Sequence, residues 1–250
     1  MPESLQRADI RRIKADGFDF VRLAHYPQSE AVLEECDRLG VVVWEEIPLV
    51  NRIDPAPEFA ANARTMLVEM IRQHRAHPCV IFWGLANEVL LLKPDPCSPS
   101  YAASAARLVR GLHALARAED PTGLTAAARC RFDELDDGSG LQDVPDVLGL
   151  NLYFGWYYRT LEELGPWLDQ FHARHPDRPL LISEYGADSD ERVHARPRAR
   201  PAPSTSASST SSASTKPRSR RSRRGRGWWA ARCGTSSTSD RGAATTPSPT

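Results

Sequence analysis

The sequence lacks any long hydrophobic run. No segment reaches the roughly 18 consecutive apolar residues that identify a membrane-spanning helix. Residues 1–12 also lack the apolar stretch of a secretory signal peptide. We therefore expect no interaction with a membrane and a cytoplasmic location.

Several motifs for cofactor and metal binding are also missing. The sequence contains no GxGxxG or GxxxxGKS/T loop for a nucleotide phosphate, no HExxH pair and no Cys/His cluster, so we expect neither a cofactor nor a metal. Ser183 is not part of a GxSxG turn, which argues against a serine hydrolase. The acidic run 133–137 departs from the spacing of a calcium loop and is interpreted as a solvated loop. Histidines on or beside predicted helices are assigned surface or packing roles: His74, His77, His113, His172 and His175.

The five cysteines form neither a CxxC pair nor a disulfide framework. Their number is odd and their spacing is wide. This pattern is typical of reduced, buried thiols in an intracellular chain. The prediction covers Cys36, Cys79, Cys97, Cys130 and Cys233.

The formal net charge is zero, with 32 basic and 32 acidic residues, but two unlike parts of the chain produce this value. Residues 1–191 have a net charge of −12 and residues 192–250 a net charge of +12. The second part contains a stretch of only Pro, Ala, Ser and Thr (201–215), followed by one dense in Lys and Arg (216–227). Such segments bury too little apolar surface to offset chain entropy. We predict one folded domain over residues 1–191 and a disordered, basic Ser/Thr/Arg-rich tail over 192–250.

The folded part alternates strand and helix patterns. Because the strand patterns are continuous apolar runs, they favour parallel strands that are covered on both faces. Two α/β architectures fit, an open doubly wound sheet and a (β/α)8 barrel. The predicted strands are 18–27, 41–49, 79–88, 124–130, 147–156 and 179–188, and the predicted helices are 4–16, 29–40, 57–76, 99–118 and 160–174, with Ser29 as an N-cap and Gly40 as a helix end.

Polar side chains recur at the carboxyl ends of these predicted strands. In a barrel all such ends meet at one mouth, which is where catalytic residues lie. We therefore expect one polar site there. Its predicted members are Arg22, His25, Glu45, Glu46, Asn87, Glu88, Asn151, Tyr153, Glu184 and Tyr185.

Glu88 and Glu184 each follow a strongly apolar strand pattern. Burying a carboxylate is costly unless the group is paired or used. Two glutamates that face each other across a mouth have the chemistry of glycoside hydrolysis, in which one protonates the leaving oxygen and the other attacks the anomeric carbon or activates a water. The competing interpretation is structural, with both glutamates capping helices or pairing with cations such as Arg22.

Five segments occur in an order and at a spacing that resemble the catalytic barrel of glycoside hydrolase family 2. They are VRLAHYP (21–27), VVVWEEIPL (41–49), HPCVIFWGLANE (77–88), DVLGLNLYFGWYY (146–158) and RPLLISEYGAD (178–188). The resemblance covers roughly residues 4–190 and implies a (β/α)8 TIM barrel. Relative to that family, the barrel is expected to be incomplete, without strands one and eight and without the accessory β-sandwich domains.

The resemblance also implies roles for individual residues. Glu88 matches the general acid/base and Glu184 the nucleophile, in a reaction that retains anomeric configuration and needs carboxyl groups about 5–5.5 Å apart. Glu46 aligns with a carboxylate that holds magnesium in one branch, but the following Ile47-Pro48 differs from that branch, so no metal is predicted. The residues expected to bind substrate are Arg22, His25, Asn87, Asn151, Tyr153 and Trp156.

Among the activities of the family, the segments most resemble β-galactosidases. β-Glucuronidase and β-mannosidase are the alternatives within the family, and an inactive barrel or carbohydrate-binding module is the alternative of another class. The expected partner is a β-linked sugar or oligosaccharide, and full-length relatives are expected to be homo-oligomeric. With two strands missing, we expect weak stability and little activity of the chain alone.

The tail has two interpretations. One is a shift of reading frame after about residue 192, because codons for residues 230–240 can be chosen that read GAVWNQFDFG in another frame, a sequence similar to the eighth strand of the family. The other is a basic arm that binds polyanions without specificity. In both cases we expect no specific nucleic-acid partner.

Overall fold

The computed structural model describes residues 1–92, 99–130 and 139–187, together with the backbone of residues 228–231. The predictions for the acidic run 133–137, Cys97 and Cys233 lie outside the described residues. The chain divides into two compact units. Among the described residues, the first comprises 1–92, 99–130, 139–151, 177–183 and 228–231, and the second comprises 152–176 and 184–187.

Helices and strands alternate along the chain as the sequence predicts. The helices are α1 Glu3–Ala15, α2 Glu30–Leu39, α3 Pro57–His74, α4 Pro99–Glu119 and α5 Leu164–Arg174. The strands are β1 Phe20–Leu23, β2 Val42–Glu46, β3 Val80–Asn87, β4 Leu124–Arg129, β5 Val147–Leu152, β6 Leu180–Tyr185 and β7 Trp228–Ala231. No helix in the described parts of the chain is long and apolar enough to cross a membrane.

The ends of α2 show where the local sequence signals hold. Gly40 ends the helix in the left-handed conformation, at φ 63°, where a residue without Cβ is least strained. Ser29 occupies the N-cap position, but its side chain makes no capping hydrogen bond. The prediction that Ser29 caps through its side chain is wrong, because its hydroxyl donates to the Gln6 side chain of α1 instead.

The strands are arranged in the sheet in their sequence order, β6-β5-β4-β3-β2-β1, with β7 beyond β1. The pairs from β1 to β5 are parallel. A doubly wound sheet reverses its strand order at a switch point, whereas a barrel adds each strand next to the previous one. The observed order therefore selects the (β/α) barrel topology over the doubly wound sheet.

Strand β7 departs from the prediction for the tail. Residues 192–250 were predicted to be disordered, yet the backbone of Trp228–Ala231 is extended. It pairs antiparallel with β1, with residue 231 opposite Phe20 and residue 228 opposite Leu23. At these four positions the tail covers the outer edge of β1, because an unpaired edge offers free backbone donors and acceptors to any extended segment.

The first unit has apolar side chains on both faces of its sheet. On one face, Val21, Val43 and Leu85 pack with the helices in the main core. On the other face, Phe20 and Trp44 pack with Ala126 and Ala128, and with Phe82 and Leu181 at the margin. Strands that are covered on both faces explain why the runs are apolar throughout rather than alternating.

Trp44 fills the sheet face opposite the helices because two neighbouring positions carry no side chain. A Cβ at Gly84 would lie 2.4 Å from Trp44 Nε1 and 2.2 Å from the Cβ of Glu46. A Cβ at Gly149 would lie 2.6 Å from Trp44 Cη2. All three distances are shorter than any real contact of a Cβ atom, so the indole requires glycine at each position.

Glu35 of α2 is a buried carboxylate surrounded by arginines of two helices. It is 2% exposed and accepts a hydrogen bond from Arg38 of its own helix and one of 2.8 Å from Arg11 of α1. These hydrogen bonds, that of Arg38 foremost, lower the pKa of Glu35 to about 2. The carboxylate therefore ties α1 to α2 as an anion at neutral pH.

The second unit contains a chain of aromatic contacts along α5. The ring centroids of Phe154 and Trp167 lie 6.0 Å apart, and Trp167 stacks on Phe171 with ring centroids 5.4 Å apart. A capping box precedes the helix, in which Thr160 N donates to Glu163 Oε2 at 2.6 Å. These contacts give the short helix α5 the tertiary packing that an isolated helix of its length would lack.

Two of the three described cysteines lie where the prediction of buried thiols places them. Cys36 and Cys79 are buried, whereas Cys130 is partly exposed. Burial raises the pKa of the Cys36 thiol to about 12 and raises that of Cys79 as well. Both thiols therefore stay protonated and poorly nucleophilic at neutral pH.

We predict that Glu35→Gln lowers the free energy of unfolding at pH 7 by about 1.5–3 kcal/mol, the range for hydrogen bonds to charged groups. Because folding depresses the Glu35 pKa, its contribution is present above the unfolded pKa near 4.5 and is lost as the pH falls toward 2. Urea unfolding at several pH values should show the difference from wild type shrinking with acid. The matched control is Glu34→Gln, since Glu34 is half exposed. A difference that stays constant between pH 7 and pH 3 would contradict the assignment.

A second prediction concerns Gly84. Gly84→Ala should lower the free energy of unfolding by about 2 kcal/mol, because the new methyl group overlaps Trp44 and Glu46. The control is Gly165→Ala in α5, where no atom lies within 4 Å of the new Cβ. That change should be neutral or stabilising by about 0.5–1 kcal/mol. Equal stabilities of the two variants in denaturant melts would show that the packing around Trp44 is loose.

Candidate active site

In the first unit, the carboxyl ends of neighbouring strands bring together a buried ion pair. Arg22 of β1 donates from Nε to Glu46 Oε2 at 2.9 Å and from Nη2 to Glu46 Oε1 at 3.0 Å. Both residues are at most 1% exposed. The guanidinium also lies over the Trp44 ring, 4.9 Å from its centroid. The two-point contact and the aromatic surface compensate for the cost of burying the two charges.

His25 extends this ion pair at the end of β1. Its Nδ1 lies 2.6 Å from Glu46 Oε1, and its side chain is about one third exposed, at 32%. Glu46 therefore contacts two residues predicted to line the site, Arg22 and His25. The imidazole is the solvent-facing member of the three.

Asn87, the last residue of β3, joins the ion pair to the neighbouring strands. Its Oδ1 accepts from Arg22 Nη2 at 2.8 Å and from Asn151 Nδ2 at 3.1 Å. The backbone at this point is held as well, since Asn87 N donates to Leu49 O at 2.8 Å. With the carbonyl oxygen occupied by two donors, the amide N–H groups of Asn87 are the part available to a ligand.

Glu88 lies directly beyond β3 in a strained backbone conformation. Its φ is 52°, in the left-handed region that costs a residue with a Cβ about 1–2 kcal/mol. The backbone is fixed there because Glu88 N donates to Ala128 O at 2.9 Å. Its carboxylate accepts from Asn151 Nδ2 at 2.6 Å. Strain of this kind persists where surrounding contacts enforce it, and it is characteristic of functional sites.

Asn151 of β5 is oriented by Ser183, a residue that was not among the predicted members of the site. Ser183 Oγ donates to Asn151 Oδ1 at 2.7 Å, so the Asn151 amide points its N–H groups toward Asn87 and Glu88. Ser183 was considered only as a nucleophile. The two-residue period of β6 places Ser183 on the same face of the sheet as Leu181, which packs beside Phe20 and Trp44. This period is the sequence pattern that could have assigned Ser183 to the site.

In the second unit, Glu184 and Tyr153 form a hydrogen-bonded pair. Tyr153 OH donates to Glu184 Oε2 at 2.6 Å, and Glu184 is 6% exposed. Tyr153 N donates to the Tyr158 hydroxyl at 2.9 Å, which closes the turn after β5. The predicted substrate-binding residue Trp156 lies in this turn, with its ring 5.8 Å from that of Tyr157.

The two units thus divide the predicted site residues between them. The first holds Arg22, His25, Asn87, Glu88 and Asn151 in one hydrogen-bonded network with Glu46, and the second holds Tyr153, Trp156 and Glu184. Within the residues that the structure describes, no group of three or more His, Cys, Asp or Glu side chains is arranged to hold a metal ion.

Glu45 does not belong with these residues, although the sequence analysis placed it beside Glu46. It lies on the opposite face of β2, where its Oε2 is 2.7 Å from Nδ1 of the buried His74 on α3. Adjacent residues in a strand point to opposite faces, so only one of the two glutamates can face Arg22. The hydrogen bond to Glu45 raises the pKa of His74.

Comparison with known proteins gives related sequences and structures. Residues 1–195 match the sequence profile described as glycosyl hydrolases family 2, TIM barrel domain. The chain is 36% identical over 187 residues to the β-glucuronidase of Bacteroides fragilis, an alignment that covers 72% of this chain and 25% of that protein. The solved structure of Bacteroides uniformis β-glucuronidase 2, covalently bound to cyclophellitol-6-carboxylate aziridine, is similar with a TM-score of 0.73 and 36% identity, and covers 78% of this chain and 24% of that one. A putative β-galactosidase from Bacteroides fragilis is similar with a TM-score of 0.67 and 36% identity, over 76% of this chain and 26% of that one.

The chain spans about a quarter of the length of these relatives. The strand order of the first unit and the similarity to these structures both identify an incomplete (β/α)8 TIM barrel. The profile match extends over 195 of the 250 residues and includes each of the predicted site residues. The chain therefore belongs to glycosyl hydrolase family 2, through the TIM barrel domain of that family.

Proposed function

We propose that this chain carries the catalytic residues of a retaining β-glycosidase and that its substrate is a β-glucuronide. In this proposal Glu88 is the general acid/base and Glu184 is the nucleophile. The observation that carries it is that both carboxylates lie at the ends of barrel strands and accept a short hydrogen bond from a neutral donor, Asn151 for Glu88 and Tyr153 for Glu184.

The contacts of Glu46 differ from the contacts that Asn151 and Tyr153 make with Glu88 and Glu184. A catalytic carboxylate has to gain a proton or form a covalent bond during the reaction. An amide or a phenol orients such a group without neutralising it. Glu46 instead accepts hydrogen bonds from the Arg22 guanidinium with both oxygens, and this two-point contact gives it a structural part.

The proposed reaction has two displacements at the anomeric carbon. In the first, the Glu88 carboxyl group protonates the glycosidic oxygen while a Glu184 carboxylate oxygen attacks C1, so the aglycone leaves and a glycosyl–enzyme ester forms. In the second, Glu88 takes a proton from water, the water oxygen attacks C1 and the ester bond to Glu184 breaks. Two inversions give net retention of configuration.

Other residues of the site are proposed to bind the sugar. The N–H groups of Asn87 suit a hydroxyl acceptor next to the reacting carbon, because its carbonyl oxygen is occupied by Arg22 and Asn151. His25 is the partly exposed residue bonded to Glu46 and suits a sugar hydroxyl. Trp156 offers an aromatic ring of the kind on which sugar rings stack.

The choice of glucuronic acid rests on the relatives. The sequence segments alone ranked β-galactosidase first, whereas the curated relatives with 36% and 32% identity are named β-glucuronidases. A β-galactoside is the second candidate, because a similar solved structure is titled a putative β-galactosidase. The two sugars differ at C6 and C4 and are alike at C1 and C2, where the proposed catalytic residues act.

Covalent labelling tests the nucleophile and the sugar together. We predict that the chain is labelled at Glu184 by a glucuronic-acid-configured cyclophellitol aziridine and much more slowly by the galactose-configured analogue. The ring opens when the nucleophile attacks, so labelling needs only the first displacement and no turnover. Peptide mass spectrometry locates the adduct. Glu184→Gln should abolish labelling and Glu34→Gln should not change it. A folded chain that takes neither probe, or takes one elsewhere, would contradict the proposal, and faster reaction with the galactose probe would favour the second candidate.

The rate of the same labelling tests the general acid. The aziridine nitrogen must gain a proton as the ring opens, so Glu88→Ala should slow labelling at neutral pH by about 100-fold or more, within the range for general acid catalysis. The adduct should still form on Glu184. Circular dichroism has to show an unchanged fold, because Glu88 is hydrogen-bonded to Asn151. An unchanged labelling rate would remove Glu88 from the acid role.

A further inference from the structure

Strand β2 ends in two adjacent buried carboxylates that face opposite sides of the sheet. Glu46 contacts Arg22 and His25, as described above. Glu45 is 0% exposed and lies toward α3. It has no role in the proposed reaction. A buried anion is retained only if its hydrogen bonds compensate for desolvation, so the partners of Glu45 indicate what it does.

The two oxygens of Glu45 have different partners. Oε2 lies 2.7 Å from Nδ1 of His74, which is 5% exposed. Oε1 accepts from the backbone N–H of Gln28 at 2.9 Å. Glu30 also acts on His74 electrostatically and, like Glu45, raises its pKa. His74 therefore orients the Glu45 carboxylate through Oε2, and Oε1 is directed at the turn that follows β1.

That turn, residues 25–28, is held at both ends by β2. At its start the His25 imidazole contacts Glu46 at 2.6 Å. At its end the Gln28 backbone is bonded to Glu45. Two consecutive residues of one strand thus fix one turn from the two faces of the sheet.

We propose that Glu45, oriented by His74, is a positioning residue that holds the 25–28 turn and so keeps His25 against Glu46. The proposal rests on the proposed function in one respect, since His25 matters there as a sugar-binding residue. The alternative is that Glu45 serves only to attach α3 to β2. That alternative uses Oε2 alone and gives no reason for the bond from Oε1 to Gln28.

Hydrogen exchange at the Gln28 amide tests the proposal directly on the whole chain. In Glu45→Ala this amide should exchange about tenfold faster or more, because a buried acceptor has been removed. The His25 imidazole signals in ¹H–¹⁵N spectra should shift at the same time. Glu45→Gln should restore slow exchange, since its amide oxygen can accept from Gln28 and its NH2 group can donate to the neutral His74 ring.

The matched control is Glu35→Ala, which removes a different buried carboxylate of the first unit and leaves the 25–28 turn untouched. It should destabilise the chain without a selective effect on Gln28 or His25. Unchanged Gln28 exchange in a folded Glu45→Ala chain would overturn the proposal, and so would equal acceleration in Glu35→Ala. Because neither measurement involves a sugar, a failure here is distinguishable from a failure of the labelling at Glu184.

Discussion

The candidate site depends on the burial of one positive charge, the guanidinium of Arg22. A buried arginine without partners would destabilise the fold, because water is not available to solvate it. Here Glu46 accepts two of its hydrogen bonds, Asn87 accepts another, and the Trp44 ring lies beneath it. Glu46 and Trp44 belong to β2 and Asn87 belongs to β3. The contacts that stabilise the Arg22 charge therefore also fix the register of β1, β2 and β3 at their carboxyl ends. Trp44 in turn fits only because residues 84 and 149 are glycines.

The same network contains two kinds of carboxylate contact, an ion pair at Glu46 and an amide hydrogen bond at Glu88. Arg22 and Glu46 neutralise each other and stay fixed. Asn87 Oδ1 accepts a hydrogen bond from Asn151 as well as from Arg22. Asn151 in turn donates an amide N–H to Glu88. The amide N–H of Asn151 thereby orients the Glu88 carboxylate. The strained backbone of Glu88 fits this division, since its position is imposed by neighbours on β4 and β5 rather than by local preference.

Much of this arrangement could be predicted from the sequence, and the failures have physical reasons. Apolar runs interrupted by polar strand ends were enough to predict the strands, and family motifs pointed to Glu88 and Glu184. The prediction placed Glu45 in the site together with Glu46, which is wrong. Two adjacent glutamates look alike in a sequence, but successive side chains of a strand point to opposite faces of the sheet. Ser29 took a different partner because a side chain of α1, distant in sequence, lies beside it. The strand at 228–231 was missed because composition predicts average disorder and not pairing with a particular free edge.

The residues proposed to perform the chemistry say little about which sugar the site would take. Galactose and glucuronic acid share the configuration at C1 and C2, and Glu88, Glu184 and Asn87 are proposed to act there. What distinguishes a glucuronide is a carboxylate at C6, and a carboxylate is recognised best by a cation in a fork geometry. Arg22 has that geometry and lies in the network, but its fork is engaged by Glu46 and a further bond goes to Asn87. The Nε and Nη2 groups of Arg22 therefore serve the architecture of the site, and the proposed glucuronide calls for a cation that is not bound to Glu46 in this way.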